Sequence, residues 1–104
     1  MIVTFNEIYL KNLYVNGDSG DKKHRFQPTI VTRYQRYIKL MESVPNIISL
    51  AKYNSLNYEV LQGDKKGMSS IRVNNQYRIE FTVTEMKEPI VTICNILKLS
   101  NHYK

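Results

Sequence analysis

The sequence predicts an α+β fold, with helices first and an antiparallel sheet after them. Three observations carry this reading. Apolar residues recur at helical spacing in the first half, they alternate with period two after Asn54, and the two patterns do not interleave. Helices followed by a run of strands pack as a layer on one face of the sheet. With 104 residues the chain is shorter than the roughly 150 expected per domain, so residues 1–104 are expected to form one domain. A chain of this size buries roughly 60–70% of its unfolded surface and can fold without a disulfide or metal.

Each element has its own signal. Residues 1–5 contain Ile2, Val3 and Phe5 and read as a short first strand. Residues 7–15 carry Ile8, Leu10, Leu13 and Tyr14 at helical spacings, and Gly17-Asp18-Ser19-Gly20-Asp21 then reads as a loop. Pro28 suits a helix start, where its missing N–H costs nothing. Ile30, Tyr34, Tyr37 or Ile38, and Met41 make residues 28–42 the clearest helix, ended by Val44-Pro45. Residues 46–52 suggest a further short helix capped by Asn46. Strands are expected over 58–61, 69–73 and 77–84, with turns at 63–67 and 85–89. Residues 90–99 are almost continuously apolar and predict a central strand buried on both faces.

The hairpin register follows from the buried face. A three-residue loop, Asn74-Asn75-Gln76, sets Val73 opposite Tyr77 and Ile71 opposite Ile79, whereas a two-residue loop would mix the faces. The same register sets Arg72 opposite Arg78. Like charges directly across a sheet are unfavourable, so a diagonal Glu80 or a bound phosphate is expected to compensate them.

The composition narrows the function. Fifteen Lys and Arg against nine Asp and Glu give a net charge of +6, which favours an anionic partner such as nucleic acid. A single cysteine, Cys94, excludes an internal disulfide, and with only His24 and His102 beside it a zinc site is not expected. Asn6, Glu7, Lys11 and Asn12 interrupt the first fifteen residues, which therefore resemble neither a signal sequence nor a spanning helix. A soluble, cytoplasmic protein with no membrane association is expected.

The cations fall into three groups: Lys22, Lys23 and Arg25; Arg33, Arg36 and Lys39; and Lys65, Lys66, Arg72 and Arg78. No acidic residue occurs between Lys22 and Met41. Such groups bind phosphates or simply form solvated faces. Eight tyrosines offer surfaces for stacking on unpaired bases; Tyr34 and Tyr37 fit helix packing, while Tyr58, Tyr77 and Tyr103 are harder to place in a core. Gly63-Asp64-Lys65-Lys66-Gly67 lacks the Gly-Lys-Ser/Thr ending of a P-loop, and the acids are scattered rather than clustered for a metal. One chemistry suits the residue types, namely RNA cleavage by the neighbouring 2′-OH without metal or cofactor. It needs a base, an acid and fixed cations at the phosphorane. His102 supplies an acid or base near neutral pH, Glu59 or Tyr103 could assist, and Arg72, Arg78, Lys65 and Lys66 could hold the phosphate.

The stretch from Leu61-Gln62-Gly63-Asp64-Lys65-Lys66-Gly67 through Ser70-Ile71-Arg72-Val73-Asn74-Asn75-Gln76-Tyr77-Arg78-Ile79 resembles the HigB-like branch of the RelE toxin superfamily. That branch shows Leu-Lys-Gly-Asp-Arg-Lys-Gly, then Ser-Ile-Arg-Val-Asn-Gly-Asn-Trp-Arg-Ile, and ends near Asp-Tyr-His. Leu99-Ser100-Asn101-His102-Tyr103 is similar to that terminus. The match covers about a third of the chain in its motifs, with order, spacing and loop length agreeing.

The resemblance implies a microbial-RNase-like domain with two N-terminal helices on a twisted sheet. It also implies the toxin of a type II toxin–antitoxin pair, an endoribonuclease cleaving mRNA in the A site of the 70S ribosome without a metal or cofactor. A helix-turn-helix, HigA-like antitoxin encoded nearby would neutralise it. Arg78 matches an arginine that lies near the scissile phosphate in this superfamily, Lys65 and Lys66 fall on its basic turn, and His102 matches its terminal histidine. Two departures stand out. Glu59 occupies a position where the family often has histidine, and Ser100-Asn101-His102 replaces Asp-Tyr-His, with Tyr103 one residue later. These departures keep open a rival reading, a non-catalytic RNA- or antitoxin-binding module on the same scaffold.

Overall fold

The structure is a computed structural model that describes residues 1–101. The chain runs β1 (Ile2–Phe5), α1 (Ile8–Asn16), α2 (Pro28–Ser43), α3 (Ile47–Ala51), a 3-10 turn (Asn54–Leu56), β2 (Glu59–Val60), a second 3-10 turn (Gly63–Lys65), β3 (Ser69–Arg72), β4 (Tyr77–Lys87) and β5 (Ile90–Asn101). The helices precede the antiparallel strands, as the change of period requires.

Local chemistry explains the helix ends. Gly17 closes α1 at φ 74°, and its N–H reaches the Leu13 carbonyl at 3.1 Å. A side chain there would be strained in the left-handed region. Pro28 opens α2, whose buried residues Ile30, Tyr34, Ile38 and Met41 form one stripe. The Tyr34 hydroxyl donates to the Leu10 carbonyl at 2.8 Å, fastening α2 to α1 through the one polar atom of a fully buried ring. The Asn46 side chain caps α3 by accepting from the Ser49 N–H at 2.9 Å.

The sheet has the order β1-β5-β4-β3-β2. Strands β2 to β5 are antiparallel neighbours, but β1 runs parallel to β5, so the sheet is mixed rather than wholly antiparallel. The hairpin has the register expected from its buried face, with Ile71 opposite Ile79 and Arg72 opposite Arg78.

Three expectations need correction. Strand β2 is two residues long, because only Glu59 and Val60 find partners on β3. Strand β4 runs on to Lys87, so the connection to β5 is Glu88-Pro89 alone. Strand β5 is interior to the sheet but not buried on both faces: Cys94 and Ile96 are sealed, while Ile93 and Asn95 are half-buried on the opposite side. A register shift at Glu80/Phe81 pairs Phe81 with Ile96 and Ile79 with Leu99. The extra residue on β5 lets both Ile96 and Leu99 meet the core, which a strict period of two would not allow.

The core lies between the helices and one sheet face. Leu10, Leu13, Tyr34, Ile38, Met41, Leu50 and Leu56 meet Ile71, Ile79, Phe81 and Ile96 there. Each such side chain contributes about 1.5–3 kcal/mol on burial.

Candidate functional site

The opposite face of the sheet is built from two polar rungs. One runs Glu59, Ser70, Glu80, Lys98, and the next runs Arg72, Arg78, Ser100. Arg78 lies at the centre of this lattice and is only 8% exposed. Its Nε donates to the Ser70 Oγ at 2.8 Å, and a terminal nitrogen donates to the Asn57 carbonyl at 2.8 Å. Asn57 presents that carbonyl from a left-handed conformation, φ 46°, at the end of the Asn54–Leu56 turn. Asparagine tolerates that region better than most residues.

The Glu59 carboxylate stands 3.7 Å from Arg78, an ion pair beyond hydrogen-bond length. Its side chain is 52% exposed. The guanidinium is therefore oriented by neutral acceptors, while a solvent-facing carboxylate stands beside it. Such a cation keeps its charge available for an anion, because no acid has taken its hydrogen bonds.

The compensation for the Arg72–Arg78 pair differs from the expected diagonal Glu80. Glu80 is committed to Lys65 at 2.6 Å, with the carboxylate buried and the lysine half-exposed. Glu59 faces Arg78 instead, and the Arg72 guanidinium donates to the Asn75 side chain. Arg72 is exposed and turns toward α2, where it lines a cleft with Arg33 and Arg36. Lys66 is exposed on the turn before β3.

Lys22, Lys23 and Arg25 are exposed on the α1–α2 connection. Lys22 and Arg25 line a separate hollow with Asp18 and Asp21, so acids absent from the following sequence adjoin them in space. The Lys23 backbone N–H, followed by the His24 ring, holds the Asp21 carboxyl below its usual range. His24 also stacks on Tyr9, with ring centroids 3.6 Å apart.

Of the remaining candidates, His102 and Tyr103 lie outside the described residues. The last described rungs pair Ser100 with Arg78 and Asn101 with Tyr77. Tyr58 and Tyr77 lean on the core: Tyr58 bonds Ser69 at 3.0 Å, and Tyr77 meets Phe26 edge-on at 5.7 Å. Tyr37, read as a packing residue, is half-buried against the edge of the core, with Ile38 taking the sealed position, and it also lines the cleft beside the arginines. Cys94 is buried, and burial pushes its thiol up to about 11, so it is not a thiolate nucleophile at neutral pH. Among the described residues no three His, Cys, Asp or Glu side chains gather as a metal site.

Sequence reasoning missed Ser70 and Asn57. Ser70 was within reach of it, since the hairpin register sets Ser70 opposite Glu80 and diagonal to Arg78. Asn57 acts through a backbone carbonyl, which carries no side-chain signal.

Comparison with known proteins matches this architecture to one group. A protein-family profile described as the RelE-like toxin of type II toxin–antitoxin system HigB matches residues 3–93. Toxin HigB-1 of Vibrio cholerae serotype O1 is 32% identical over 82 residues, covering 78% of this chain and 82% of that protein. Among solved structures, the YoeB/ParE toxin from Agrobacterium tumefaciens superposes with a TM-score of 0.56 at 14% identity, covering 99% of this chain and 100% of that one. The Staphylococcus aureus YoeB–YefM toxin–antitoxin heterotetramer contains a chain with a TM-score of 0.54 at 19% identity, covering 99% of this chain and 98% of that one.

Proposed function

The chain belongs to the HigB-like family of RelE-like type II toxins, and from that premise we propose that it is a ribosome-dependent endoribonuclease cleaving mRNA in the A site without a metal. The observation that carries the reading is Arg78, oriented by Ser70 and Asn57 while the half-exposed Glu59 carboxylate stands 3.7 Å away.

In this scheme Glu59 takes the proton of the ribose 2′-OH. The 2′ oxygen bonds to phosphorus as the bond to the 5′ oxygen breaks. His102 protonates the leaving 5′ oxygen, with Tyr103 as the alternative donor, and the products are a 2′,3′-cyclic phosphate and a 5′-hydroxyl. Arg78 offsets the charge that grows on the phosphorane, and Lys65, Lys66 and Arg72 hold the neighbouring backbone. Lys22, Lys23 and Arg25 add salt-sensitive attraction to RNA.

A HigA-like helix-turn-helix antitoxin encoded nearby is its proposed neutralising partner. Membership of a type II toxin family supports that partner. Among the described residues no helix is long and apolar enough to cross a membrane, and a ribosomal target implies action in the cytoplasm.

The test is single-turnover cleavage of mRNA on programmed ribosomes by the purified wild type. Cleavage that survives EDTA, under conditions keeping ribosomes assembled, is expected. His102→Ala should slow it roughly 10²–10⁴-fold. No cleavage by the wild type would overturn the reading in favour of a binding module, and loss with EDTA would overturn the metal-free scheme.

A further inference from the structure

A cleft of about 510 Å³ opens between α2 and the β3–β4 hairpin, and of its lining the reaction above uses Arg72 alone. Arg33, Arg36 and Tyr37 line it from the helix; Arg72, Asn74 and Asn75 line it from the hairpin. Its volume falls in the usual range for ligand sites, roughly 300–1,000 Å³.

We propose that this cleft binds a single-stranded RNA segment flanking the cleaved phosphate. Arg36 and Arg72 would grip backbone phosphates, and the Tyr37 ring would stack on a base. The proposal rests on the endoribonuclease reading only in taking this RNA to be the strand that also reaches Arg78.

Charge is the first argument. Three guanidinium groups share the cleft and no carboxylate lines it. Among the described residues none of the three has an acid within ion-pair distance, the ion pairs being confined to His24, Lys65 and Arg78. Converging cations without counter-charge favour a bound anion, and planar guanidinium forks suit phosphate oxygens.

Pre-organisation is the second. Arg33 donates to the Val73 carbonyl at 3.3 Å, and Arg72 donates to the Asn75 side chain. Asn74 in turn accepts from the backbone N–H groups of Gln76 and Tyr77, at 2.8 and 2.7 Å, which fixes the loop carrying these groups. The Arg36 side chain makes no hydrogen bond or ion pair within the described residues and is left for a ligand.

Continuity is the third. Arg72 is the register partner of Arg78, so the cleft begins on the same rung as the proposed reaction centre, one strand away. An RNA strand alternates phosphate and base, which matches arginines interleaved with a tyrosine. An acidic peptide would use the arginines and leave the ring unexplained.

The experiment measures binding by fluorescence anisotropy, with a short labelled single-stranded RNA and a labelled poly-glutamate peptide as probes. Arg36→Gln should weaken RNA binding roughly tenfold and reduce the salt slope by about 0.7, the loss of one single-strand phosphate contact. Tyr37→Leu should weaken RNA binding at least roughly fivefold with the slope unchanged, as expected for lost stacking. Melting curves of Arg36→Gln should overlay the wild type, since that side chain holds nothing else in place. RNA affinity and slope unaffected by Arg36→Gln would overturn the proposal. So would poly-glutamate binding that depends on Arg36 when RNA binding does not, which would point to an acidic protein partner. If the wild type binds RNA through Arg36 yet cleaves nothing on ribosomes, the cleft stands and the nuclease reading falls; if it cleaves and Arg36→Gln matches it in binding, the reverse holds.

Discussion

In the middle of the sheet, on alternate rungs, the two faces bury side chains almost equally, yet by opposite chemistry. On the helix side Ile71, Ile79 and Phe81 are fully buried, and on the other side Ser70, Arg78, Glu80 and Ser100 are between 0% and 8% exposed. Apolar burial is non-directional and tolerates rearrangement among hydrophobic side chains. Polar burial holds only while each donor and acceptor keeps its partner. The first face therefore sets whether the chain folds, and the second sets the geometry of Arg78. Substitutions on the two faces should accordingly fail in different ways.

The largest effect is expected on the apolar face. Ile96→Asp places an unpaired charge opposite Phe81, at a cost of several kcal/mol, against the ~5–15 kcal/mol of a whole domain. It should give no cooperative thermal transition. Ile93→Asp, one rung's parity away on the half-buried side of the same strand, should remain soluble and melt cooperatively at a lower temperature. Reading residues 90–99 as buried on both faces would have made these two variants equally damaging.

Next comes the buried acid of the polar face. Lys65→Met removes the partner of Glu80 and leaves a nearly buried carboxylate unpaired. A cost of about 1–3 kcal/mol is expected, read as a drop in melting temperature. Lys65→Met with Glu80→Gln should recover most of it, because the stranded charge is then gone. If the double variant melts no higher than Lys65→Met, Glu80 does not need its counter-ion.

Ser70→Ala should cost less, about 1 kcal/mol, by deleting the acceptor for the Arg78 Nε. Its sharper signature is kinetic: cleavage should slow while Arg78 keeps its charge, and Ser70→Thr should restore part of the rate.

The smallest effect is confined to alkaline pH. The Glu42 carboxylate, hydrogen-bonded to the Tyr14 hydroxyl, pushes that phenol up to about 12. A proton held more tightly in the folded state stabilises it fully below the ordinary tyrosine value near 10. That contribution is lost as pH rises through about 12. The difference between wild-type and Tyr14→Phe tyrosinate absorbance should titrate near the upper value. A difference midpoint near 10 would show that the bond does not persist in solution.

Much of the fold was legible because one-sided apolar patterns carry their own register. The Asn74-Asn75-Gln76 loop and the Arg72–Arg78 pairing followed from keeping Ile71 opposite Ile79. The register shift at Glu80/Phe81 was not legible, since an apolar run such as residues 90–99 hides which residue is extra. The parallel pairing of β1 with β5 depends on the path of the helices between them, and no local signal reports that path. In the site, residue types were readable but partners were not. Arg78 was legible as a phosphate-holding cation but its burial was not, because Asn57 and Ser70 come from elsewhere in sequence to receive it. Arg33 and Arg36 meet Arg72 only once α2 lies against the hairpin.

The central claim is that the polar face exists to hold Arg78 against a reacting phosphate. Its most direct test is the single-turnover rate of mRNA cleavage on programmed ribosomes for Arg78→Ala, measured well below the variant's melting temperature. Arg78→Ala leaves Ser70 and the Asn57 carbonyl without their donor, so some loss of melting temperature is expected alongside the kinetic effect. The account predicts a rate lower by roughly 10²–10³ in protein that is still folded, with Arg78→Lys intermediate because it keeps the charge and loses the fork. A folded Arg78→Ala variant that cleaves at the wild-type rate would contradict it, and would reduce Arg78 to a structural residue of the sheet.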